Sequence, residues 1–258
     1  MSKLHDTQNS FDSRNIDITR VGIKDFHTPV QLHSISSGMQ SSVASISMYG
    51  FLSRQYRGTH MSRFISLIHE HTNIPVDSHM MRLLTQAILE RLNTHSAEVI
   101  LKAPFFIKKQ APVTKQLGLM DYRICYRTIA EQGNIRQILQ VKVPVTSLCP
   151  CSKQISDYGA HNQRSILTIE AEYEKDFAPE ILIQTAEESA SCSLYSVLKR
   201  EDEKYVTEFA YNHAKFAEDI VRDAYSKLRQ ISNIKHFRVS TENIESIHNH
   251  AAYAEIIF

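Results

Sequence analysis

The sequence predicts an α+β fold of antiparallel strand pairs with helices grouped between them. Three observations carry this. Apolar residues at period two mark strands, and these strands come in consecutive pairs joined by short turns, which implies antiparallel pairing. Apolar residues at period 3.6 mark helices, and they cluster between the strand pairs. The order strand, strand, helix, helix, strand, strand occurs twice, with the break near Gln132 and no residue-level repeat between the halves.

Residues 1–20 are polar and read as a flexible arm. Strands follow at 21–32 and 42–52, the second with Ile46, Met48 and Leu52 at period two. After Thr59 the period changes: Met61, Phe64, Ile65 and Ile68 form one helical stripe. A second helix is expected over 78–92, with Ser78 as its N-cap. Strands return at 97–107 and 119–130, the latter with Tyr122, Ile124 and Tyr126 on one face and Arg123, Cys125 and Arg127 on the other. Gln132-Gly133-Asn134 signals a turn. Strands at 135–145 and 165–173 follow, then a helix opening at Pro179 and reaching about Ala190. The helix expected at 215–230 places Phe216, Ile220, Val221, Ala224 and Leu228 on one half of its wheel. Short strands at 236–240 and 251–258 close the chain.

Composition bounds the function. The 258 residues carry a net charge of +1 and are 42% hydrophobic, enough for a core of one large domain or two of about 130 residues. Seven Gly and seven Pro exclude a linker-rich or low-complexity protein. The balanced charge supplies no field for a nucleic-acid backbone, so no nucleic-acid partner is expected. No apolar run approaches the ~20 residues of a membrane span, and the first residues lack a signal peptide's apolar stretch; no membrane partner and a cytoplasmic location are expected. Four cysteines are too few for a disulfide framework in a chain this long. Cys149-Pro150-Cys151 therefore reads as metal-binding, catalytic or redox-active, or as an unremarkable pair in a turn.

Other chemistry-bearing residues fall in short blocks. His161 lies in Gly159-Ala-His-Asn-Gln-Arg-Ser165, and His248 and His250 fall between the last two strands. Among thirteen histidines, any one alone is more often a surface or core residue than a ligand. Glu218 sits at the flank of its helix, and the mixed charges of residues 198–204 read by default as a solvated run. Residues 56–64 open a helix where backbone N–H groups, with Ser62 and Arg63, suit phosphate; a plain N-cap by Thr59 or Ser62 explains the same residues. No G-x-x-x-x-G-K-[ST] or G-x-G-x-x-G is present.

Taken in order, Arg57-Gly-Thr-His-Met-Ser-Arg-Phe64, Pro144-Val-Thr-Ser-Leu-Cys-Pro-Cys-Ser-Lys153, Gly159-Ala-His-Asn-Gln-Arg-Ser165, Leu198-Lys-Arg-Glu-Asp-Glu-Lys204 and Glu245-Ser-Ile-His-Asn-His250 resemble the type IB GTP cyclohydrolases. The resemblance runs from about Val21 to the C-terminus. It implies two tandem tunnelling-fold (T-fold) modules, antiparallel sheets with helices packed on one face, at 21–131 and 132–258. It also implies a homotetramer with active sites at the seams between modules and subunits. The implied activity is metal-dependent hydrolysis of GTP to 7,8-dihydroneopterin 3'-triphosphate and formate, the first step of pterin and folate synthesis.

Carried over residue by residue, the resemblance implies a divalent metal held by Cys149, His161, Glu203 and His248. This mixed donor set is open to Zn, Mn or Fe. Cys149 and His161 are the expected catalytic pair, with Cys151 ranked below Cys149. Glu218 matches the glutamate that accepts guanine N1–H and N2–H₂ side by side. His60 and Arg63 are expected to contact GTP, and Lys153, Arg164, Lys199 and Arg200 are further triphosphate candidates. A nitrile reductase of the same superfamily would need a nucleophilic Cys and NADPH, and the His161, Glu203 and His248 matches argue against it.

Overall fold

A computed structural model describes residues 5–71, 74–175 and 178–258. The elements, in chain order, are β1 (Ile18–Ser34), β2 (Gly38–Leu52), α1 (Met61–His71), α2 (Ser78–Leu92), β3 (Ser96–Gln110), β4 (Leu117–Glu131), β5 (Asn134–Leu148), α3 (Pro150–Ile155), β6 (Asn162–Tyr173), α4 (Pro179–Ser189), β7 (Cys192–Ser193), α5 (Arg200–Asn212), α6 (Ala217–Leu228), β8 (Ile234–Asn243) and β9 (Ala252–Ile257). Among the described residues the hydrogen-bonded strand order is β1-β2-β3-β4-β5-β6-β8-β9, with the two-residue β7 on β5. The pairs β2/β3, β5/β7, β6/β8 and β8/β9 are antiparallel. The fold is α+β: an antiparallel sheet with helices on one face. No helix among the described residues is long and apolar enough to cross a membrane.

The alternation legible in the sequence is the alternation of burial. Met120, Tyr122, Ile124, Tyr126, Thr128 and Ala130 of β4 point inward, as do Leu167, Ile169, Ala171 and Tyr173 of β6. The turn after β4 is a tight hairpin. Gln132 (φ 49°) and Gly133 (φ 82°) both take positive φ, the conformation whose twist matches that of the flanking strands.

The chain forms two compact units that interleave along the sequence. Of the described residues, the first takes those within Met1–His33, Ser41–Ala103 and Cys125–Ile138, and the second those within Ser34–Gln40, Pro104–Ile124 and Leu139–Phe258. In the first unit α1 packs on α2, burying Phe64, Leu67, Met81, Leu84 and Ile88 with Ile46, Met48 and Val99. In the second, α6 packs on β8 and β9, and α4 packs on α6 and β6. Leu182, Ile220, Ala224, Leu167 and Val239 fill that layer.

Four local features differ from the sequence expectation. The α2 N-cap is Asp77, not Ser78: its Oδ1 accepts from the Met80 N–H at 2.7 Å, because a cap must precede the first helical residue. Phe216 is exposed and sits at the N-cap of α6 instead of joining the buried stripe, and the Asp219 carboxylate accepts from its N–H at 3.0 Å. The Cys-Pro-Cys loop is the opening turn of a short helix, α3, with Pro150 at its first position. Residues 198–204, read by default as a solvated charge run, contain the start of a helix, α5, that begins at Arg200.

The N-terminal segment expected as an arm runs beside the loop before α1. The Arg57 N–H donates to the Ser10 carbonyl at 2.9 Å and the Gly58 N–H to the Gln8 carbonyl at 3.0 Å. The Gln8 amide donates to the Thr59 carbonyl at 3.0 Å, and His60 Nε2 meets Asp6 Oδ2 at 3.1 Å.

Candidate active site

The Cys-Pro-Cys and Gly-Ala-His blocks meet at the end of β5 and the start of β6. The Cys149 N–H donates to the His161 carbonyl at 3.1 Å. Ser152 ties the two together: its hydroxyl donates to the Cys149 carbonyl at 3.2 Å and accepts from the His161 N–H at 3.2 Å. Pro150 fixes the first turn of α3, and the Cys149 sulfur accepts from the Ser152 N–H at 3.4 Å, so the thiol caps the helix. A short helix is needed here because the chain must reverse within a few residues while keeping Cys149 half-buried and Cys151 exposed.

These residues line a cavity of about 350 Å³. Cys149, Cys151 and His161 enter it from the β5–α3–β6 corner, and Glu245 and His248 from the loop after β8. His248 Nε2 faces Glu245 Oε2 at 3.5 Å, and its ring stacks on that of His250 at 4.9 Å between centroids. Two thiols, two imidazoles and the Glu245 carboxylate line the cavity, donors that suit a borderline divalent cation. The chemistry of the set therefore fits a metal. Among the described residues, however, no three His, Cys, Asp or Glu side chains are gathered closely enough to hold a metal ion.

The other expected residues lie elsewhere. Glu203 is exposed on α5 and does not line this cavity. Glu218 is exposed in the first turn of α6, one residue after Ala217 of the cavity wall. His60 and Arg63 belong to the first unit, at the N-terminal end of α1. Lys153 is engaged: its ammonium donates to the Tyr211 carbonyl at 2.5 Å and lies 4.3 Å from the centre of that ring. Arg164 lines a larger cavity of about 830 Å³ with Tyr158, Asn162, Tyr195, Glu208 and Tyr211.

Three site-building residues escaped the sequence reading of roles. Gln163 is buried beside His161, and its Oε1 lies 2.9 Å from His161 Nδ1. Extending the alternation of 165–173 back by two residues puts Gln163 on the inward row, where burial without a partner is costly, but no spacing names that partner. Glu245 shares the cavity wall with His248. Asp202, within the charge run, is fully buried. Its carboxylate accepts from the Val113 N–H at 2.8 Å, the Thr114 N–H at 2.9 Å, the Thr114 hydroxyl at 2.6 Å and the Lys199 N–H at 2.9 Å. Burial alone would raise its pKa, but these bonds to the charged form outweigh it and hold the carboxyl well below the usual range. This clamp fixes the start of α5, and with it Glu203.

A family model described as type I GTP cyclohydrolase folE2 matches residues 4–254. The GTP cyclohydrolase FolE2 of Nitrosococcus oceani is 46% identical over 255 residues, covering 98% of this chain and 94% of that protein. The GTP cyclohydrolase FolE2 of Herminiimonas arsenicoxydans is 47% identical over 256 residues, covering 99% and 97%. Among solved structures, the uricase from Arthrobacter globiformis matches with a TM-score of 0.54 at 7% identity, over 93% of this chain and 92% of that one. A uricase from Bacillus fastidious matches with a TM-score of 0.55 at 9% identity, over 93% and 92%. At that identity the likeness concerns the fold alone. The sequence matches span the whole described corner of Cys149, His161 and His248, and the chain belongs to the FolE2 family of GTP cyclohydrolases.

Proposed function

We propose that the chain converts GTP and water to 7,8-dihydroneopterin 3'-triphosphate and formate, the entry step of pterin and folate synthesis. The observation that carries this reading is the match to FolE2 GTP cyclohydrolases along nearly the full length of both chains. The reaction opens the guanine imidazole ring at C8, releases C8 as formate, and recloses the rearranged ribose carbons on the freed amino group. Two hydrolytic cleavages and one ring-closing condensation leave a net consumption of one water.

We infer a divalent metal, Zn, Mn or Fe, with Cys149, His161, Glu203 and His248 as its ligands. Bound there, it supplies a Lewis acid that activates water for hydrolysis. The common cavity of Cys149, His161 and His248 supports the assignment of those three. Glu203 rests on the motif alone. Glu218 is the proposed base anchor, its carboxylate accepting the two adjacent N–H groups of the guanine edge. Loss of one partner would leave the other unsatisfied in a desolvated pocket, which makes the pair a purine selector. His60 and Arg63 are the proposed substrate contacts in the first unit.

We further propose two tandem T-fold modules, 21–131 and 132–258, assembled as a homotetramer in the cytoplasm. The element order, with paired strands and intervening helices met twice, supports the modules. Formate release and pterin fluorescence from GTP, each followed against protein concentration, test the activity; size exclusion with light scattering tests the tetramer.

A further inference from the structure

We propose that Gln163 is a positioning residue that sets the tautomer of His161 and so presents its Nε2 lone pair as a metal donor. This rests on the reading of His161 as a ligand. Gln163 stands on the inward row of β6 with 8% of its surface exposed. Its side-chain nitrogen donates to Ser147 Oγ at 2.7 Å, and Ser147 Oγ lies 2.8 Å from Ser165 Oγ. Both serines are fully buried, on the facing inward rows of β5 and β6. With its nitrogen placed on Ser147, the amide presents Gln163 Oε1 to the imidazole. Oε1 is 2.9 Å from His161 Nδ1. A carbonyl oxygen accepts and cannot donate, so Nδ1 carries the proton. In the neutral ring the other nitrogen, Nε2, is then left with its lone pair.

The contacts form one chain across the two strands: Ser165 meets Ser147, Ser147 holds the amide, and the amide meets the ring. His161 also has its main chain held by Ser152 and Cys149. Ring and backbone are thus each held by hydrogen bonds, as a ligand needs when its orientation decides its affinity.

The test uses the full chain, stripped of metal, with Zn²⁺ competed against a chelator as the probe. Gln163→Met removes the acceptor at nearly constant volume, whereas Gln163→Glu keeps it, since Ser147 can turn its hydroxyl to donate. Gln163→Met should weaken Zn²⁺ binding by about 10- to 100-fold, the range for lost outer-shell partners. Gln163→Glu should return it to within about threefold of the parent, a recovery that a packing role would not produce. Independently, NMR of [¹⁵N]histidine-labelled, metal-free parent protein at pH 8, assigned by subtraction of His161→Ala, should place the His161 proton on Nδ1. That reading stands even if Gln163→Met fails to fold. A proton on Nε2, or a Glu variant no better than the Met variant, overturns the proposal. Parent-like Zn²⁺ affinity in His161→Ala would instead remove the ligand reading, and this proposal with it.

Discussion

Cys149 and His161 are tied to each other by their main chains, the Cys149 N–H donating to the His161 carbonyl at 3.1 Å. Two residues twelve positions apart thus form a rigid pair at the end of adjacent strands, with Ser152 bridging both. These ties run through the main chains and Ser152, so the Cys149 and His161 side chains can be replaced without breaking them.

Cys149→Ala tests that separation. Losing outer-shell partners costs about 10- to 100-fold, so losing a ligand should lower turnover by more than about 100-fold. The fold should persist, because among the described residues the thiol's hydrogen bond is the long cap accepted from the Ser152 N–H, and the loss of such a cap is worth about 1 kcal/mol at most here. Formate release and the thermal midpoint measure the two effects. Near-normal turnover in Cys149→Ala contradicts the metal role.

Glu218→Gln should separate substrate from metal. Removing a charge-assisted pair to the guanine edge should raise KM for GTP by about 10- to 100-fold. Metal affinity should stay within about threefold, and stability should hardly move, because Glu218 is exposed. Equal losses of GTP and metal binding would point to a structural role.

How much of this was legible follows from what buries each segment. β4 and β6 could be read residue by residue, because one face of each is apolar and the other is not. α5 could not: of its residues only Asp202 and Ala210 are buried, so no apolar stripe exists to find. Its start is held by hydrogen bonds to a buried carboxylate, which a charge pattern disguises as a solvated run. α3 is six residues long with none buried, and Pro150 announces a stiff turn as readily as a first helical turn. In the site, cysteine and histidine stand out by chemistry. Gln163 does not, because its role lies in a cross-strand contact with Ser147 that no spacing along the chain encodes.

Asp202 should make stability depend on acid pH. Its native pKa is depressed, so folding favours the ionised form. The stability it contributes is fully present above the unfolded value of 3.8 and is lost as the pH falls below that towards the native value. Asp202→Asn should therefore flatten the fall in denaturant midpoint below about pH 4 and lower the midpoint at pH 7. Asp202→Ala, which leaves the Val113 and Thr114 donors unpaired, should lower the thermal midpoint at pH 7 by several degrees. A Tm unchanged in Asp202→Ala contradicts the clamp.

Deleting residues 1–15 should cost more than a loose arm would. The deletion removes the hydrogen bonds of Gln8 and Ser10 to residues 57–59. At about 0.5 kcal/mol each for such half-exposed bonds, the loss is about 1–2 kcal/mol. In a chain of this size that is roughly 2–8 °C in Tm. Differential scanning calorimetry of the truncated chain measures it, and an unchanged Tm would mean these bonds contribute nothing.

The most direct test of the central claim is GTP turnover by chelator-stripped protein, with formate and pterin fluorescence read after adding Mn²⁺, Zn²⁺ or no metal. Metal-dependent appearance of both products is the predicted result. Absence of both with every metal, in protein verified as folded and tetrameric, would contradict it.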